Sequence, residues 1–193
     1  MKIVFATHNP NKVREINAIL GDAIEIVGLE EIGCTEEIPE TQDTIPGNAL
    51  QKARYVKEHF GLDCFAEDTG LEVDALNGEP GVHTAYYAGP ARNADENMKK
   101  VLYSLETKTD RGAQFRTVIA LILNGEEHTF EGIARGTIAR KQRGEKGFGY
   151  DPIFMPEGYD KTFAELSGAE KNQISHRGKA TALLQQFLAG REE

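Results

Sequence analysis

The sequence predicts an α/β protein built on a mixed β-sheet, and two observations carry that prediction. A short apolar run, Ile3 to Ala6, passes through Thr7-His8-Asn9-Pro10-Asn11-Lys12 into a segment with Val13, Ile16, Ile19 and Leu20 on one helical face. Further on, the two longest β-prone runs, Ala113 to Leu123 and His128 to Ile138, are joined at Asn124-Gly125. Asn-Gly between such runs signals a hairpin, because both turn residues must tolerate positive φ. A hairpin is antiparallel, so the sheet is mixed and not purely doubly wound. No repeat, linker or low-complexity segment interrupts the chain, so residues 1–193 are expected to form one domain, with the hairpin region as a second lobe.

The elements follow in order. Asn9 suits the N-cap of the first helix and Pro10 its first turn. Such a helix start leaves backbone N–H groups free for an anion, and Lys12 adds a charge. The loop is not a Walker A loop, since G-x-x-x-x-G-K-[ST] is absent throughout. Ala23 to Leu29 is a second strand candidate, followed by an acidic loop from Glu30 to Asp43 that contains Glu40. A helix from about Pro46 to His59 carries Lys52 and stops at Gly61. Leu62 to Ala66 then reads as a strand entering a turn at Glu67-Asp68-Thr69-Gly70, and Leu71 to Ala75 alternates as a half-exposed strand. The loop from Asn77 to Pro90 is long, with Tyr86 and Tyr87 read as pinning it. A helix from Ala94 to Leu105 turns Met98, Val101, Leu102 and Leu105 inward. After the hairpin, glycines flank Phe148 and leave its ring unshielded, free to stack on a base or to bury as one loop aromatic. Ser175 caps a last helix whose core face is Ala180, Leu183, Leu184, Phe187 and Leu188. His176 and Arg177 fall in its first turn, where the helix dipole disfavours cations unless an anion meets them.

Composition narrows the function. Hydrophobic content of 39% and charged content of 27% describe an ordinary globular chain. A net charge of −9 argues against a nucleic-acid or membrane-surface partner, although lysines and a metal gathered locally still suit a polyanionic small ligand. Cys34 and Cys64 form no C-x-x-C, and the N-terminus turns polar too soon for a signal peptide, so a cytoplasmic location is expected. The adjacent carboxylates Glu67 and Asp68 repel each other, and are tolerated if solvated or if a cation such as Mg²⁺ neutralises them.

Four motifs read together: Thr7-His8-Asn9-Pro10-Asn11-Lys12, Ala66-Glu67-Asp68-Thr69-Gly70-Leu71, Gly147-Phe148-Gly149-Tyr150-Asp151-Pro152 and Ser175-His176-Arg177-Gly178-Lys179-Ala180. In this order and spacing the chain resembles the non-canonical purine nucleoside triphosphate pyrophosphatases, the RdgB/HAM1 or inosine triphosphatase family. It departs from that pattern at His8, where glycine is usual, and at Glu67, where some members carry aspartate. The resemblance implies an elongated, two-lobed α/β fold with a mixed, curved sheet flanked by helices and a central cleft. It implies Mg²⁺-dependent hydrolysis of ITP, dITP and XTP to monophosphate and pyrophosphate by a homodimer that cleanses the nucleotide pool. Thr7, His8, Asn9, Pro10, Asn11 and Lys12 would cradle the triphosphate, with Lys52 facing the same phosphates. Glu40 and Asp68 would hold the metal, and Thr69 would touch substrate beside it. Phe148 would stack on the purine in a pocket shaped by Gly149, Tyr150 and Asp151. Lys171, His176 and Arg177 would contact the nucleotide, the last two reading its 6-oxo edge. A carboxylate bound to Mg²⁺ is a poor base. Asp68 is therefore expected to orient a metal-activated water, and Glu67 is left as a candidate for its proton.

Overall fold

The computed structural model describes residues 1–191. It contains a six-stranded mixed sheet, in the order β2-β1-β3-β4-β5-β6, together with five α-helices and several short 3-10 turns. In chain order these are β1 (Lys2–Phe5), α1 (Pro10–Leu20), β2 (Glu25–Val27), α2 (Ile45–Phe60), β3 (Cys64–Val73), α3 (Ala94–Ser104), β4 (Gly112–Leu123), β5 (Glu126–Ile138), β6 (Phe154–Pro156), α4 (Gly168–Ile174) and α5 (His176–Ala189). β1 runs parallel to both β2 and β3, while β6 is antiparallel to β5. The sheet is therefore mixed, as the sequence predicts. Among the described residues no helix is long and apolar enough to cross a membrane.

The helix boundaries follow from local chemistry. Asn9 caps α1 in extended conformation, its side chain accepting the Asn11 N–H, and Pro10 opens the first turn. Thr44 caps α2 by accepting the Gly47 N–H, and Gly61 ends it in the left-handed region at φ 69°. The β4–β5 turn has positive φ at both Asn124 (52°) and Gly125 (82°), the geometry a two-residue hairpin requires.

The chain divides into two compact units, the first comprising Met1–Asp68, Thr117–Gly132 and Arg177–Glu193, the second Thr69–Arg116 and Ile133–His176. Each has its own apolar core. In the first, Phe5 stacks on Phe65 with centroids 4.5 Å apart, and Ile16, Leu20, Ala180, Leu184 and Leu188 from α1 and α5 complete the cluster. In the second, Phe115, Phe154 and Phe163 pack with Leu71, Met98, Val101 and Leu105. Tyr87 in the long loop donates its hydroxyl to Glu79 at 3.0 Å and lies under the Lys100 ammonium, so it does pin that loop.

Two expectations are corrected. There is no turn at Gly70: β3 continues through Glu67, Asp68, Thr69 and Gly70, and it is an interior strand of the sheet. Extended backbone is sustainable there because the two acidic side chains are buried against cations, so the strand need not break to solvate them. Leu183 is not on the core face of α5, where 44% of it is exposed, because the buried stripe runs through Ala180, Leu184 and Leu188 at spacings of four.

Candidate active site

β1 ends at the mouth of α1, and the intervening loop is folded by its own side chains. Thr7 Oγ1 accepts the Asn9 N–H at 3.1 Å, and Asn9 in turn holds the Asn11 N–H at 3.0 Å. The exposed His8 ring reaches outward to the Glu36 carbonyl at 2.9 Å. The first turn of α1 carries no acidic residue of its own. Lys12 leaves this turn and binds Glu67 Oε1 at 2.6 Å.

Glu67 is the centre of a buried ion network. Arg177, itself only 2% exposed, grips it through Nε at 3.0 Å and Nη2 at 3.2 Å, and its Nη1 donates to Glu15 at 2.6 Å. Burial pushes the Glu67 carboxyl up, but Arg177 and Lys12 outweigh it and hold the group well below the usual carboxylate range. Burial likewise works against the Arg177 charge, and Glu67 and Glu15 more than restore it. The first-turn mismatch at Arg177 is thereby answered by two carboxylates.

Asp68 behaves differently. Burial, with Lys52 and Lys12 opposing and Glu40 and Glu67 adding, pushes its carboxyl up to about 6. Its nearest cation, Lys52 Nζ, lies 3.8 Å away, while that same ammonium binds Glu40 Oε1 and the Glu67 backbone carbonyl at 2.6 Å each. Glu40 and Asp68 thus converge on one point from separate segments. Among the described residues no group of three or more His, Cys, Asp or Glu is arranged to hold a metal ion. Mg²⁺ needs no such cage, because it retains several waters and is bound through one or two carboxylates plus substrate phosphates. Two converging carboxyls, one of them reluctant to ionise without a nearby cation, fit that requirement.

The second unit holds an aromatic cluster. Gly147 and Gly149 have φ of 73° and 61°, and they turn the chain sharply on both sides of Phe148, whose ring is half-buried. The Phe148 N–H donates to Asp151 Oδ2 at 3.1 Å, and Lys171 Nζ donates to the same oxygen at 2.6 Å. Lys171 also lies 5.0 Å from the Phe148 ring centroid. Tyr150 is buried and donates its hydroxyl to the Thr84 carbonyl at 2.7 Å, and His176 stacks on Phe115 at 4.5 Å. This group has the parts of a nucleobase platform: a half-open ring, a paired ammonium and carboxylate, and a buried imidazole.

The sequence-derived residues therefore fall into two sets. Thr7 to Lys12, Glu40, Lys52, Glu67, Asp68 and Arg177 belong to the first unit, with Arg177 at the carboxylate network. Thr69, Phe148, Gly149, Tyr150, Asp151, Lys171 and His176 belong to the second. Sequence reasoning missed Glu15, whose one signal was its position three residues after Lys12, on the same face of α1. It also missed Asn97, buried on α3, which accepts the Ala88 N–H and donates to the carbonyls of Thr84 and Ala85.

A sequence model of the Ham1 family matches residues 3–187. The chain is 57% identical over 188 residues to a dITP/XTP pyrophosphatase of Flavobacterium johnsoniae, an alignment covering 97% of this chain and 98% of that one. Among solved structures, a HAM1 protein from Coxiella burnetii matches with a TM-score of 0.91 at 40% identity, over 98% of this chain and 99% of that one. The Staphylococcus aureus Ham1 protein matches with a TM-score of 0.90 at the same identity and coverage.

Proposed function

The chain belongs to the Ham1 family, and from that premise we propose that it hydrolyses non-standard purine nucleoside triphosphates (ITP, dITP and XTP) to the monophosphate and pyrophosphate. The observation that carries the chemistry is the meeting of Glu40 and Asp68 at the Lys52 ammonium, beside a lysine-bearing helix start. Water attacks the α-phosphorus and pyrophosphate leaves, a reaction that depends mostly on positioning and charge neutralisation. Lys12, Lys52 and the N–H groups at the start of α1 bind the phosphates and offset charge on the leaving pyrophosphate. Glu40 and Asp68 would hold Mg²⁺, which would supply further neutralisation and a more acidic water. Asp68 orients the attacking water by accepting its hydrogen bond. Glu67, held ionised by Arg177 and Lys12, is a weak base and serves to fix Lys12. Thr69 contacts substrate at the next position of the strand.

Phe148 stacks on the purine, with Gly149, Tyr150 and Asp151 shaping the pocket and Lys171 on the nucleotide. His176 reads the 6-oxo edge, whereas the Arg177 guanidinium is committed to Glu67 and Glu15. Donors aimed at O6 are left unpaired by the amino group of adenine, at about 1–3 kcal/mol each, which disfavours ATP. In this reading residues 1–193 act as one pyrophosphatase domain of a cytoplasmic homodimer, with no nucleic-acid or membrane partner. The acidic net charge supports the last point.

The deciding experiment is pyrophosphate detection across a panel of nucleoside triphosphates, with Mg²⁺ and with EDTA, alongside sedimentation of the purified protein. Release from ITP, dITP and XTP that requires Mg²⁺ is expected. Equal release from ATP, or nucleotide binding without turnover, would refute the proposal.

A further inference from the structure

One face of α2 is occupied by polar side chains, and each of them takes hold of a different point on the acidic loop. Asn48, Gln51, Lys52 and Tyr55 share that face by their spacing. Asn48 Oδ1 accepts the Gln42 N–H at 2.9 Å. Gln51 takes Thr41 twice: its Oε1 accepts the Thr41 N–H at 2.8 Å, and its Nε2 donates to Thr41 Oγ1 at 2.8 Å. Lys52 binds Glu40 at 2.6 Å, and the Tyr55 hydroxyl donates to Glu36 Oε2 at 3.0 Å. Positions rise along the helix as they fall along the loop, so a slip of one residue would break every pairing. The orientation of the Gln51 amide is fixed, because a backbone N–H can only donate and must therefore face the oxygen.

The hold matters because Glu40 is poorly restrained by burial. Its side chain is 35% exposed, and the Lys52 ammonium that binds it at 2.6 Å lies 3.8 Å from Asp68, a like charge. A glutamate in that setting has rotamer freedom and water to return to. We propose that Gln51 is the positioning residue for Glu40: by gripping Thr41 at both its amide and its hydroxyl, it keeps the neighbouring carboxylate turned towards Asp68. This rests on the reading of Glu40 and Asp68 as the pair that receives the divalent cation.

The test uses Gln51→Met, which removes both bonds at similar volume, and Thr41→Val, which removes only the hydroxyl bond on an exposed residue. Mg²⁺ binding to the nucleotide-free protein is measured by calorimetry, and the Mg²⁺ dependence of pyrophosphate release from ITP is measured beside it. Gln51→Met is expected to weaken Mg²⁺ binding about tenfold and to raise the half-activating concentration equally, with kcat at saturating Mg²⁺ within about twofold. Thr41→Val should weaken binding about threefold, and the double variant should be no worse than Gln51→Met, since both act on one contact. Wild-type Mg²⁺ affinity in Gln51→Met overturns the inference, as does a lower melting temperature or kcat without a change in metal dependence. Should Gln51→Met fail to fold by circular dichroism, unchanged Mg²⁺ affinity in Thr41→Val overturns it alone. If wild type neither binds Mg²⁺ nor releases pyrophosphate, the Glu40–Asp68 reading fails first and takes the positioning role with it. Tyr103→Ser, at a residue 79% exposed on α3, should match wild type throughout.

Discussion

Replacing Asp68 by asparagine should remove turnover and, without metal, make the protein more stable. The carboxyl is buried and pushed from 3.8 up to about 6, which corresponds to about 3 kcal/mol of unfavourable interaction for its charged form. The sign follows from linkage. Because the folded state binds the proton more tightly, the contribution is fully favourable below about pH 4 and is lost as pH rises through about 6. Asparagine stands in for the neutral acid at every pH. Urea unfolding in EDTA should therefore show Asp68→Asn more stable than wild type by about 1 kcal/mol at pH 4.5, growing to about 3 kcal/mol at pH 8. Mg²⁺ at a hundredfold excess over its dissociation constant adds about 2.7 kcal/mol to wild type alone and should erase the gap. A variant less stable than wild type at pH 8 in EDTA, or a difference that ignores pH, would refute this account of the site.

Three further outcomes are expected. Phe148→Ala should raise KM for ITP about tenfold with little change in kcat, because one stacked base is worth about 1–3 kcal/mol; steady-state kinetics decide this. Glu67→Gln should destabilise the protein by about 3–5 kcal/mol at neutral pH, since it strips the main counter-charge from buried Arg177 and from Lys12. Wild type should lose that advantage as pH falls below about 4.5, where the unfolded glutamate takes up its proton, so the acid limb of the variant should be flatter in pH-dependent denaturation. Gly147→Ala should cost at least about 1 kcal/mol, because φ is +73° there and an added methyl would meet the Asp151 carboxylate; thermal melts and KM would record both effects.

What could be read from the sequence was whatever depends on near neighbours. Asn9-Pro10, Gly61 and Asn124-Gly125 set backbone dihedrals within a few residues of themselves, so the helix start, the helix stop and the hairpin fell where expected. The motif order was likewise legible, because the family pattern survives at all four motifs despite the histidine at position 8. The failures were long-range. A Glu-Asp pair in sequence looks like a turn because its neutralising partners, Lys12, Lys52 and Arg177, lie in other segments. Without them the continuation of β3 through the pair has no visible cause. Glu15 escaped for the same reason, since its partner sits at the opposite end of the chain. Leu183 went wrong at the margin of its arc: the five apolar positions span about 140° of the helix with Leu183 at one edge, and periodicity does not say how wide a stripe the core covers.

Arg177 stands 110 positions after Glu67 and 162 after Glu15. A ribosome therefore delivers both acids long before the guanidinium that neutralises them, and the nascent third strand lacks that buried partner until Arg177 has been made. Translation products that stop short of this arginine carry a repulsive, hydrated gap where the finished protein has a sealed ion cluster. Premature stop codons ahead of Arg177 should thus behave as complete loss-of-function alleles, with the shortened polypeptides cleared by proteolysis.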